Sequence, residues 1–452
     1  MSSRHLLVLT ALTSLLLTHG ANAQAVRTDS LADLLLRDDI PKLETRLAGG
    51  PKTAETVAFQ GEVAYRKGRF EQAGTLYRSA LQMNEKTARA HFGVGKLSMA
   101  RMKSSDAIKS FSRAIDLDPR EPLYHFYIAD ALALEKKTSD AEQHLREYLK
   151  LNPTDPDRVP MAKAALEVSA AFTGLDVGKV EGPAQPAPIR LQRMPLLNFL
   201  FTEVMINGKG PYRFILDTGA TQTVLSEKLA GTLGLKRIGT NIMYGLGGDG
   251  KVESPIYRAD SVKVGDVTVK NVPLGTLGNP ILDLVMDGIL GPALLSDFTI
   301  TIDYPGSQLE LSRKPPTGGT AIQAWFFSGL LLVPSQVNGK FDGNFLLDTG
   351  ADGTLLSHSM ASDLGVNKDT PGAALDLPIG GVSGLEDGIL LIPSVTLKTP
   401  FETKQFDKMM AVDLHGLSTL IQTELSGVLG FDSLKDYKVT LDYQKAEIRL
   451  TK

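Results

Sequence analysis

The chain has no cysteine, which excludes disulfide bridges, thiol nucleophiles and cysteine-bound zinc. It lacks an excess of either charge: 48 Lys and Arg stand against 51 Asp and Glu, a formal net charge of −3. Neither nucleic acid nor an anionic membrane surface is implied as a partner by that balance. No His-Glu-x-x-His pattern occurs among the seven histidines, so the zinc-protease arrangement is missing. No metal and no cofactor are expected. Beyond residue 17 no apolar run approaches the ~20 residues that a membrane-spanning helix needs. What remains is 452 residues, 42% apolar and 22% charged, an ordinary globular composition with length for about two to four domains.

The N-terminus reads as an export signal over residues 1–23. Arg4 and His5 precede an apolar run from Leu6 to Leu17, and Ala21-Asn22-Ala23 has the small-x-small form of a signal peptidase site. Cleavage after Ala23 would leave a periplasmic or secreted chain with no membrane span. The absence of cysteine also leaves no site for lipid attachment after the cut, and it suits an oxidising compartment.

One heptapeptide occurs twice. Phe214-Ile215-Leu216-Asp217-Thr218-Gly219-Ala220 answers Phe345-Leu346-Leu347-Asp348-Thr349-Gly350-Ala351, at an offset of 131 positions. Background composition gives on the order of 0.1 Asp-Thr-Gly triplets in a chain this long. The surroundings repeat as well: Asn207-Gly208-Lys209 with Asn338-Gly339-Lys340, Gly288-Ile289-Leu290-Gly291 with Gly427-Val428-Leu429-Gly430, and Asp303-Tyr304 with Asp442-Tyr443. The downstream pairs lie 139 apart, so the second copy has gained eight residues after its triplet. A whole structural unit is duplicated.

A different repetition fills residues 30–172. Gly61, Gly95 and Ala129 are 34 apart, as are Tyr77, Phe111 and Leu145. Ala73, Ala107 and Ala141 follow the same period. Small residues at fixed places let paired helices approach, and the larger ones fill the layer between. The pattern resembles the tetratricopeptide repeat, with units at 54–87, 88–121 and 122–155, a weaker helical stretch at 30–47 and a capping helix at 161–172. The resemblance implies a concave groove for a peptide or protein partner. His91 and His125 also recur at 34, at a packing position without a carboxylate cluster, and read as groove or core residues. Residues 173–188, rich in Pro and Gly, read as an extended linker.

From 189 onward the periodicity is that of short strands and turns, divided into units 189–314 and 315–452. Asn207-Gly208 and Asn338-Gly339 are hairpin signals between apolar runs. Each following strand leads into its Asp-Thr-Gly loop. Each unit resembles a lobe of the retropepsin-type aspartic proteases, fused in one chain as in pepsins. The expected architecture is therefore an all-α repeat solenoid followed by an all-β, two-lobed acid-protease barrel fold.

The resemblance implies the roles. Hydrolysis of a peptide bond without metal or covalent intermediate needs one group to deprotonate water and another to protonate the carbonyl oxygen. Two carboxylates held about 3 Å apart share a proton, because both cannot readily ionise. Asp217 and Asp348 would be that pair. Thr218 and Thr349 would tie the loops together, and Gly219 and Gly350 would allow their tight turns. Ala220 and Ala351 stand where pepsins carry a hydroxyl, which implies work nearer neutral pH. Asp352 stands where retroviral enzymes contact substrate backbone.

The run Gly245-Leu246-Gly247-Gly248-Asp249-Gly250 fits Gly-x-Gly-x-x-Gly, but the stretch after it contains Pro255 and β-branched residues and is not the helix a dinucleotide site requires. It reads as a flap tip, with Tyr244 in the place of the pepsin flap tyrosine and Gly380-Gly381 as the second flap. Together these readings describe an exported aspartic endopeptidase acting on peptide or unfolded protein. The alternative is an inactive retropepsin-like adaptor that binds peptide in the periplasm.

Overall fold

The computed structural model describes residues 30–452 apart from 195–196, 247–249, 280–282, 284, 376–378 and 382–383. The leader lies outside the described residues. Among the described residues nine helices come first: α1 (Leu31–Leu36), α2 (Ile40–Ala48), α3 (Ala54–Arg66), α4 (Phe70–Met83), α5 (Ala88–Ala100), α6 (Ser104–Leu117), α7 (Pro122–Leu134), α8 (Thr138–Lys150) and α9 (Arg158–Ala171). The first helices of the three units begin 34 residues apart, in the phase read from the sequence.

The repeat positions show why. A Cβ on Gly61 would lie 2.6 Å from the Tyr77 ring, and one on Gly95 would lie 2.4 Å from Phe111. The third unit has Ala129 in that place, and its partner shrinks to Leu145; both are buried. Total volume at the contact is conserved while its shares change hands, as close packing demands. The turns after α3, α5 and α7 place Gly68, Met102 and Lys136 in the left-handed region. Glycine serves at the first of these because Asn344 of the β region lies 2.6 Å from where its Cβ would be.

The β region contains, among the described residues, an 8-stranded and a 9-stranded sheet, one for each lobe, and a 6-stranded sheet shared by both. In each lobe the strand leading to the Asp-Thr-Gly loop runs parallel to a three-residue strand behind it. Phe214–Leu216 pairs with Gly288–Leu290, and Phe345–Leu347 with Gly427–Leu429. Glycine opens both short strands because a Cβ on Gly288 or Gly427 would lie 2.4 Å from the Phe214 or Phe345 ring. In the shared sheet Thr299–Asp303 lies antiparallel to Lys438–Asp442, and Thr301 faces Thr440 with their hydroxyls 2.9 Å apart. These two threonines are repeat equivalents, so the pseudo-twofold axis passes between them.

Two stretches hold more structure than the sequence reading gave them. Residues 173–188 are extended but not free, since Lys179–Glu181 adds an edge strand to the first lobe along Thr268–Lys270. The segment with Pro255, read from the sequence only as non-helical, is one long strand, Lys251–Val264. Ser254 Oγ donates to the Thr276 carbonyl at 2.9 Å and accepts from the Thr276 amide at 3.1 Å, supplying local bonding where proline has no N–H.

The helical block is fixed to both lobes. On the second lobe, Phe70 packs against Trp325 and Phe327 with ring centroids 4.5 and 5.4 Å apart, and the Arg101 guanidinium lies 3.3 Å from the Trp325 ring centroid. Hydrogen bonds to backbone carbonyls flank this cluster: Glu424 N–H donates to Arg66 at 2.7 Å and the Asn344 side-chain Nδ2 to Gly68 at 2.8 Å. On the first lobe, α9 lies along the strand Lys236–Tyr244, and Lys251 pairs with Asp157 at 3.3 Å. A buried aromatic cluster of this kind makes the two parts one cooperative body. Trp325→Ala is expected to cost about 3–5 kcal/mol and to expose residues 173–188 to limited proteolysis. Thermal unfolding and trypsin digestion of the variant measure both effects.

Candidate active site

The two Asp-Thr-Gly loops meet head to head. Thr218 Oγ1 donates to the Leu347 carbonyl at 2.8 Å, and Thr349 Oγ1 donates to the Leu216 carbonyl at 2.8 Å. Each hydroxyl also accepts from the other threonine's backbone N–H, at 3.0 and 3.1 Å. Both threonines are buried, so these four bonds are shielded from water and each half-made pair would leave a buried carbonyl unsatisfied. The lock is symmetric to within 0.1 Å across all four bonds.

The lock places the carboxyls against the opposite turns. A Cβ on Gly219 would lie 2.6 Å from the Asp348 carboxyl carbon, and one on Gly350 would lie 2.5 Å from that of Asp217. Neither glycine has a positive φ. They are required for close approach of the second carboxylate, not for an unusual backbone conformation. Each loop also donates to its own acid, Gly219 N–H to Asp217 Oδ1 and Gly350 N–H to Asp348 Oδ1, both at 2.7 Å.

Behind each loop the supports are duplicated too. The Asp217 and Asp348 amides donate to the Leu290 and Leu429 carbonyls, both at 3.1 Å. Gly291 and Gly430 donate to the hydroxyls of Thr223 and Thr354 at 3.2 and 3.3 Å. Thr223 and Thr354 are 131 apart and were visible in the repeat, yet carried no sequence-level role. Tyr304 and Tyr443 are another such pair: both are buried, and neither hydroxyl has a hydrogen-bond partner among the described residues. Burial pushes both phenols up, and the two aspartates add to that effect.

Burial raises Asp348 well above the usual carboxylate range, and the neighbouring Asp217 charge acts in the same direction. Burial also raises Asp217, opposed by its side-chain bond to Asp348 and by the N–H groups of Gly219 and Ala220. Backbone donors are what remain where Ala220 and Ala351 bring no hydroxyl. The pair therefore holds one proton over a range where isolated aspartates are both ionised.

The flap residues divide. Tyr244 ends the strand Lys236–Tyr244, opposite Lys251, and Gly245 N–H bonds the Gly250 carbonyl at 3.1 Å. Gly247 and Gly248 lie outside the described residues. Gly380 and Gly381 belong to a two-stranded hairpin, Ile379–Gly381 with Gly384–Glu386. A Cβ on Gly381 would lie 2.1 Å from the Leu246 carbonyl oxygen, so the two hairpins touch. No helix follows the glycine run; the strand Lys251–Val264 does. The buried Tyr244 hydroxyl faces Asp157 of the helical block without hydrogen-bond geometry to it, and burial first, then that carboxylate, pushes it up.

Asp352 is engaged otherwise than the resemblance implies. It accepts from Asn198 of the first lobe, at 2.6 Å from Nδ2 and 3.2 Å from the backbone N–H. Its repeat equivalent is Thr221, and that of Asn198 is Gly329; these two pack together, with a Cβ on Gly329 meeting the Thr221 carbonyl at 3.5 Å. One end of the cleft is bridged by side chains and the other is not.

Residues 202–293 and 333–384 match the family model described as aspartyl protease, and residues 60–101 and 99–156 match that of the tetratricopeptide repeat. The chain thus carries an aspartyl protease family domain behind a block of helical repeats. No curated protein matches it. Among solved structures, the Yersinia enterocolitica type III secretion translocator chaperone SycD in an alternative dimer is 20% identical over 28% of this chain and 98% of its own, with a TM-score of 0.26. The same chaperone in complex with a peptide of the translocator YopD is 21% identical over 26% of this chain and 93% of its own, with a TM-score of 0.25.

Thr218→Val keeps the shape and removes the hydroxyl, orphaning the Leu347 carbonyl and the Thr349 amide. It is expected to lower stability by about 1–3 kcal/mol for each group left unpaired, with Thr218→Ser restoring most of it in denaturant unfolding. Asp348→Asn is expected to raise Tm at pH 8. An acid whose folded-state pKa is raised penalises the folded state as pH climbs above the ordinary carboxylate value of about 4. The gain should therefore shrink as pH falls and disappear below about pH 4, which thermal unfolding across pH would show.

Proposed function

We propose that this chain is an exported aspartic endopeptidase that hydrolyses peptide bonds by a water held between Asp217 and Asp348. The observation that carries the reading is the hydroxyl lock of Thr218 and Thr349, which sets each carboxyl against the opposite loop; two buried acids so placed share a single proton. The ionised member takes a proton from water as the oxygen attacks the scissile carbonyl carbon. The protonated member donates to the carbonyl oxygen, forming a tetrahedral diol. Proton transfer to the amide nitrogen then accompanies breakage of the C–N bond and regenerates the pair.

The substrate is an extended peptide or unfolded protein, covered by the touching hairpins of the two lobes, and the helical repeats take part in holding it. Export rests on the leader at residues 1–23 and makes the periplasm or the exterior the working compartment. None of the helices of the described residues is long and apolar enough to cross a membrane. With raised carboxyls and no hydroxyl beside them, activity belongs nearer neutral pH than strongly acid.

Wild type, Asp217→Asn and Asp348→Asn are to be incubated with unfolded casein between pH 3 and pH 8. Either substitution removes one proton-transfer partner and is expected to lower the rate by about 10²–10⁴-fold, with the wild type faster at pH 6 than at pH 3. Undiminished cleavage by either variant would defeat the mechanism. A wild type that cleaves nothing across that range would leave the non-catalytic peptide adaptor.

A further inference from the structure

Between the face of the helical block formed by α3, α5, α7 and α9 and the two lobes lies a cavity of about 670 Å³, within the range of ligand-binding sites. Asp130, Tyr127 and Met161 line it from the repeats, and Thr221, Tyr244 and Phe327 from the lobes. Thr221 lies four residues beyond Asp217 on the same loop, and Tyr244 begins the first flap. The cavity therefore opens at the unbridged end of the cleft, where Gly329 and Thr221 replace the Asn198–Asp352 bridge of the other end.

Three cations of its wall, Lys96, Lys136 and Arg158, stand beside three acids, Asp130, Asp157 and Asp297, and all but one of these six charges are in ion pairs. Lys96 is held by Glu62 at 2.6 Å, Lys136 by Asp297 at 3.7 Å, and Arg158 by Asp155. Asp157 is taken by Lys251 at 3.3 Å. Asp130 alone among these acids has no cation within ion-pair distance among the described residues. Its side chain is exposed to the cavity, while the protein mass around it pushes its carboxyl up to about 7, with Arg158 opposing. A carboxylate held this way is stabilised by an incoming cation and gains nothing from another acid.

We propose that the repeat groove and the cleft form one continuous substrate channel, in which Asp130 binds a lysine or arginine side chain of the substrate beyond the unbridged end of the cleft. This rests on the reading of the chain as a peptide hydrolase and adds a specificity residue supplied by the helical block. The occupant is the same polypeptide whose scissile bond lies between Asp217 and Asp348. The apolar part of the channel, with methionine and aromatic side chains, accepts varied neighbours, while the one carboxylate without an ion-pair partner sets the charge preference.

Two assays keep the channel and the hydrolysis apart. In the first, unfolded casein and the same casein with acetylated lysines are digested by wild type, Asp130→Asn and Asp130→Glu. The wild type is expected to favour the unmodified substrate by roughly tenfold in kcat/KM, mainly through KM, the scale of one charge-assisted hydrogen bond. Asp130→Asn should lose that preference and Asp130→Glu retain part of it, with Tm of each variant confirming the fold. In the second, Asp217→Asn protein with and without Asp130→Asn is titrated with a fluorescent casein peptide bearing one lysine and with its acetyl-lysine form. Lysine-dependent binding that Asp130→Asn abolishes supports the channel even if no hydrolysis occurs. Hydrolysis or binding that ignores both the lysine and Asp130 would overturn it while leaving the catalytic reading standing.

Discussion

Two threonine hydroxyls, each bonded into the backbone of the opposite loop, hold the β region in the arrangement on which everything else depends. Without them the carboxyls would repel and separate, since two ionised groups at contact distance in a buried setting are strongly unfavourable. The lock acts before the chemistry: it makes sharing a proton the least costly state. The glycines serve the same end from outside, because each leaves the space that the other lobe's carboxyl occupies. The shared sheet repeats the lesson lower down, where Thr301 meets its own equivalent Thr440 across the axis.

Symmetry near the axis gives way to asymmetry away from it. The lock, the loop amides and the supporting Thr223 and Thr354 are duplicated almost bond for bond. Four residues further out, Asp352 bridges to Asn198 while Thr221 and Gly329 merely touch. The helical block sits against the side that lacks the bridge. A gene duplication yields two equal ends, and only one of them is joined here to a second domain.

The duplicated heptapeptide and the 34-residue phase were legible because each is a local pattern repeated at a fixed interval. The Gly61–Tyr77 and Gly95–Phe111 contacts lie within one repeat, so spacing alone exposes them. The linker was legible in composition but not in its pairing, because Lys179–Glu181 finds its partner strand some ninety residues on. The stretch with Pro255 was legible as non-helical, but not as one unbroken strand, since the hydroxyl of Ser254 that supports it is not a pattern. The docking of Phe70 and Arg101 on Trp325 was not legible at all. It joins residues more than two hundred positions apart that no periodicity relates. Asp130 was passed over for the same reason: within its helix it is one more polar position, and only the neighbouring lobes turn it into an acid without an ion-pair partner on the wall of a cavity.

The central claim is that Asp217 and Asp348 behave as one titrating unit. Carbon-13 NMR of protein labelled at the aspartate carboxyl carbons, followed from pH 3 to pH 9, reads that directly. The account predicts two coupled transitions, the upper one well above the ordinary carboxylate value of about 4. It also predicts that changing either aspartate to Asn alters the titration of its partner. Two independent transitions near 4, each indifferent to loss of the other residue, would contradict it.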